Sequence, residues 1–93
     1  MSSVADLQIE NDRTRVTRYR LPPGGSTGPH RHEHDYVIVP VVSGRLRVVG
    51  ADGREVFADL EAGVAYFRRA GVEHNVFNGG ERDIAFVEVE MLP

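Results

Sequence analysis

Residues 27–44 read TGPHRHEHDYVIVPVVSG, and this stretch decides the fold. A turn at Gly28 and Pro29 opens into histidines at 30, 32 and 34, followed by the run Tyr36–Val42. Alternate residues of an extended chain point to one face, so the spacing predicts a short strand His30–His34 with its imidazoles side by side. The run YVIVPVV is too short for a helix and rich in β-branched side chains, which favours a strand. It is apolar on both faces, so one face needs cover beyond a barrel interior. Pro40 has no amide proton to give a ladder and predicts an edge or a bulge.

The pattern continues in both directions. Upstream, Arg13–Leu21 predicts a strand closed by PPGGSTGP. Downstream come Arg45–Val49, a hairpin turn at Gly50–Gly53 with Asp-Gly at its tip, and Arg54–Leu60. Val64–Arg68 and His74–Asn78 follow, separated by a turn at RAGVE. Last is Ile84–Met91, IAFVEVEM, in which apolar and acidic residues alternate. Residues 1–12 form an N-terminal segment of weak pattern, frayed or an additional strand, ahead of one domain over 13–93. No ten-residue stretch carries a helical stripe. Seven to nine short strands with turn signals between them predict an all-β sandwich or barrel.

Composition narrows the function. The chain has 93 residues, enough for one core of modest size, and no cysteine. Disulfides, thiolate nucleophiles and Cys-ligated zinc are excluded, so any metal must be held by nitrogen and oxygen. The net charge is −3 and the eleven basic residues are all arginine, scattered along the chain. Arg13, Arg15, Arg18 and Arg20 come nearest to a cluster, but acidic residues flank them. A nucleic-acid partner needs a concentrated positive face and is not expected. No apolar run approaches membrane-spanning length, and the N-terminus lacks a basic region followed by an apolar core. A cytoplasmic protein with no membrane partner is the expectation.

The chemistry lies in the histidines. His30 and His32 follow a glycine-rich turn on one strand face, and His74 opens a separate strand. Three imidazoles converging from two strands would form one face of a metal site, with other positions left open for water or a small molecule.

Two motifs then resemble those of the cupins, which are jelly-roll barrels, also described as double-stranded β-helices. Gly24, His30, His32 and Gly44 fall at the places of the first cupin motif, and Gly63, Gly71, His74 and Asn78 at those of the second. TGPHRHEHDYVIVPVVSG and YFRRAGVEHNVFN are most similar to the small bacterial cupins connected with β-alanine degradation. The glutamate of the first motif would fall at Tyr36 or Val37 and is absent. Arg69 stands where the second motif has proline. The resemblance therefore implies one divalent metal (iron, nickel, manganese or zinc) held by His30, His32 and His74. His34 is a possible fourth ligand, and Glu33, Asp35 and Tyr36 are the other local candidates. It further implies action on a small organic acid or related metabolite, as a non-haem dioxygenase with a three-histidine site or as another metal-assisted lyase or isomerase. A non-catalytic small-molecule-binding or sensing module is the alternative.

Each of these residues also has a plainer reading. Tyr36 is a candidate to donate a proton or order a bound oxygen species, or it packs. Arg69 is a candidate to bind a carboxylate, or it is solvated or paired with Glu61 or Glu73. Gly24, Gly25, Gly44, Gly63 and Gly71 are read as turn residues at positive φ, and Asn78 as a turn cap. Phe57, Phe67, Phe77 and Phe86 are read as core lining. The two-faced YVIVPVV strand predicts a homodimer that buries its outer side.

Overall fold

In the computed structural model, which describes residues 3–93, the chain forms two antiparallel sheets facing each other. The strands are β1 (Val4–Glu10), β2 (Thr14–Leu21), β3 (His30–Arg31), β4 (Tyr36–Val42), β5 (Gly44–Gly50), β6 (Glu55–Leu60), β7 (Tyr66–Arg68), β8 (Glu73–Asn78) and β9 (Ile84–Met91). One sheet has the order β1-β2-β9-β4-β7 and the other β3-β8-β5-β6. Neighbours such as β2 and β9, or β5 and β8, are far apart in the chain, which is the wrapping of a jelly roll. Of the N-terminal segment, residues 1 and 2 lie outside the described residues. β1 is an edge strand on β2.

The register of the five-stranded sheet sorts its side chains into rows. On the inner face one row runs Arg15–Glu90–Tyr36–Arg68, the next Thr17–Glu88–Ile38–Tyr66, and the third Tyr19–Phe86–Pro40. Leu21 and Ile84 close the barrel below them, both fully buried. The interior therefore grades from charged at one end to apolar at the other. Leu46, Val48 and Val76 of the second sheet pack against it, so burial of apolar surface at the closed end holds the sheets together. Asn78 pins that end: its Nδ2 donates to the carbonyls of Leu21 and Arg82, and its Oδ1 accepts from Gly80 N. Pro40 sits at a register shift between β4 and β9, beyond the reach of β7, so no ladder partner is lost.

Several expectations are corrected. The ladder holds His30 and Arg31 but not the full His30–His34 strand. His32 bends away and exchanges backbone hydrogen bonds with Gly71 and Val72 of the turn before β8. Val64 stays outside β7, which starts at Tyr66. Of the four phenylalanines only Phe86 lines the core. Phe57 and Phe67 are exposed on the outer faces of the edge strands β6 and β7, and Phe77 lies half-buried under the Arg47 guanidinium at 4.1 Å. Gly24, Gly63 and Gly71 have positive φ, but Gly25 and Gly44 do not. Gly44 is required for another reason, the close approach of Ile84.

Candidate metal centre and its cavity

His30 and His74 face each other across the β3–β8 pair, and His32 swings in from the bend that follows. The three rings meet edge to face, with centroids 4.6–5.0 Å apart. His32 Nε2 lies 2.9 Å from His30 Nε2 and 3.1 Å from His74 Nε2. One ligand nitrogen from each of the three comes within 4.8 Å of the others. His34 and Arg69 do not join them.

Elementary geometry tests whether these nitrogens suit a metal. With metal–nitrogen bonds of about 2.0–2.1 Å, two ligands at a right angle are about 2.9 Å apart, and about 3.4 Å apart at the tetrahedral angle. The two short separations match the right-angled, facial arrangement. Tautomers fit as well. The Gly28 carbonyl lies 2.8 Å from His30 Nδ1, which donates to it and leaves the Nε2 lone pair facing the centre. Burial, then the neighbouring rings, pushes His32 and His74 down to about 4, so both are neutral near pH 7 and offer lone pairs. Three imidazole nitrogens crowded at hydrogen-bond distance are a donor set that a cation satisfies.

The cluster forms one wall of a cavity of about 360 Å³. Tyr36 is buried and lies flat on His32, with ring centroids 3.9 Å apart at 17°. Burial, with Glu88 close by, lifts its phenol to about 12, so it stays a proton donor. Tyr19, Tyr66, Ile38 and Phe86 continue the wall, and His34 lines the rim. Asp35 is occupied elsewhere, its Oδ1 accepting from Ala70 N at 2.7 Å. Arg69 is exposed outside the cavity, its guanidinium 5.9 Å from the Phe67 ring.

Sequence reasoning missed Glu88. It is buried on the inner face of β9, with Oε1 3.5 Å from His32 Nδ1. Burial, then Glu90, pushes its carboxyl up to about 7. Burial thus disfavours the charged form of both partners, so without a cation this is a neutral imidazole beside a carboxyl rather than an ion pair. Glu88 does not stand in for the absent motif glutamate, since the cluster of ligand atoms within 4.8 Å of one another holds His30, His32 and His74 and not Glu88. The signal available in the sequence was the alternation of IAFVEVEM, which puts Glu88 on the face of Phe86 and Ile84.

A jelly roll with three histidines converging in its cavity defines the class. The Cupin domain family matches residues 17–90, and the chain belongs to it. It is 47% identical over 89 residues to the beta-alanine degradation protein BauB of Pseudomonas aeruginosa, covering 96% of this chain and 93% of that one. It is 32% identical over 93 residues to an oxalate-binding protein of Thermotoga maritima, covering 99% and 74%. A crystal structure of a cupin domain from Bordetella pertussis superposes with a TM-score of 0.94 at 44% identity, covering 99% and 95%.

Proposed function

We propose that this cupin is a metal-dependent enzyme acting on a small, compact metabolite, with His30, His32 and His74 holding one divalent transition metal. The observation that carries this reading is the convergence of three Nε2 atoms on one point in the wall of a closed-ended cavity. When bound, the metal supplies an electrophilic centre with positions left for a small molecule and, for a redox metal, dioxygen. The finest form of the reading is a three-histidine dioxygenase. Tyr36 holds its phenolic proton beside His32 and offers a hydrogen bond into the cavity, while the apolar closed end excludes water. Relatives named for β-alanine degradation and for oxalate binding are consistent with a small carboxylate-bearing substrate.

Elemental analysis of untagged protein tests it. The expected result is about one transition metal per chain, lost in His74→Ala while the fold persists by circular dichroism. Oxygen uptake over a panel of small acids, diketones and thiols then separates dioxygenase from binding module. Metal without turnover leaves the binding module, and protein that takes up no metal rules out both metal readings.

The partner proposal is a second copy of this chain. On the outer face of the five-stranded sheet, Ile9, Val16, Val89, Val37 and Phe67 stand in one continuous cross-strand row. An apolar row across a sheet is what a two-fold interface covers. Light scattering is expected to give twice the 10.3 kDa chain mass, reverting to the monomer in Val89→Arg. A monomeric wild type at micromolar concentration rules the dimer out.

A further inference from the structure

The charges facing the cavity are unevenly matched. Arg15 reaches the mouth with its guanidinium 3.0 Å from Glu10 and 3.7 Å from Glu90. Arg31 points to solvent with 61% of its side chain exposed, 3.9 Å from Glu73. Arg68 faces the same side as Tyr36, but it lies over the Tyr66 ring at 4.5 Å and donates to the Phe67 carbonyl. Glu88 has no such partner. Among the described residues its one ion-pair neighbour is the His32 imidazole, at 3.5 Å, with the carboxyl 8% exposed. The ladder sets Glu88 diagonally between Tyr19 on β2 and Tyr36 on β4, with Tyr66 two strands away in the same row.

We infer that the ligand of this cavity carries a positively charged amine, received by Glu88 within the tyrosine rings. A buried carboxylate without a cation is costly, and an ammonium group removes that cost through a charge-assisted hydrogen bond. Aromatic faces add attraction for the same charge. A dicarboxylate would instead set its second anion against Glu88, with every lining arginine already engaged. The inference rests on the reading of this cavity as the ligand site, and it narrows the substrate to a short amino acid or amine.

Three probes of equal length isolate the charge: 1,3-diaminopropane, β-alanine and malonate, titrated calorimetrically into zinc-loaded protein. β-Alanine is expected to bind at least about tenfold more tightly than malonate, and Glu88→Gln to abolish that preference. Thermal unfolding and zinc content of Glu88→Gln show that the fold and metal persist; should Gln unfold the protein, Glu88→Asp, with its charge retracted, must narrow the preference. Malonate binding as tightly as β-alanine, a preference unchanged in the variants, or no binding by any probe overturns the inference. Zinc bound without amine preference sinks this inference alone. Amine preference in protein that takes up no zinc sinks only the metal reading.

Discussion

At Gly44 the start of β5 runs so close to Ile84 that a methyl in place of the hydrogen would collide with the isoleucine Cγ2. Ile84 is fully buried at the closed end, so it has nowhere to retreat. Gly44→Ala is therefore expected to cost about 1–3 kcal/mol by overpacking. Thermal unfolding should show a fall of roughly 4–24 °C for a domain of this size. Ile84→Leu, which lacks the β-branch, should destabilise the wild type yet restore part of the loss in the Gly44→Ala background. Additive losses would show that the contact is not the cause. This reason for a glycine is invisible in sequence, because its partner is forty residues downstream. His30, His32 and His74 were legible for the opposite reason: each follows a turn whose length fixes where the ring lands. Glu88 was not, since nothing near it in the chain marks it as part of the site.

β9 shows what element patterns reveal and conceal. IAFVEVEM was legible as a strand, and habit would place its apolar half toward the core. The register instead turns Ile84, Phe86, Glu88 and Glu90 inward and Val87 and Val89 outward. The inner face changes from apolar to acidic along one strand because it passes from the closed end into the cavity. A buried carboxyl kept for binding opposes folding. Glu88→Leu is expected to stabilise the metal-free protein by about 1–3 kcal/mol, read as a higher urea midpoint at unchanged m-value. A lower midpoint would mean that Glu88 is a structural member of the wall. β3 is the converse case. Three alternating histidines promised a regular strand, but two residues of ladder suffice once His32 spends its backbone hydrogen bonds on the turn at Gly71.

Among the described residues, His32, His74 and Glu88 are the groups titrating between about pH 4 and 7 whose proton affinities the fold has moved, and together they shape the pH dependence of the whole molecule there. His32 and His74 are held at about 4, below their ordinary 6.5. The unfolded chain takes those protons first, so their contribution to stability is intact above pH 6.5 and lost as pH falls toward 4. Glu88, raised from 4.5 to about 7, runs the other way. Its contribution is full below pH 4.5 and fades as pH rises through 7. Two imidazoles against one carboxyl leave roughly one net proton taken up on unfolding between these limits, a slope of about 1.4 kcal/mol per pH unit. Urea midpoints of the metal-free protein should therefore climb from pH 4.5 to 6.5 and level off near 7. In Glu88→Leu the opposing carboxyl is gone, so the slope should approach two protons, about 2.7 kcal/mol per unit. A bound metal should steepen the acid limb further, because protons and metal compete for the same Nε2 lone pairs. A flat profile between pH 4.5 and 6.5 would mean that His32, His74 and Glu88 are reached by water and titrate as they do in the unfolded chain.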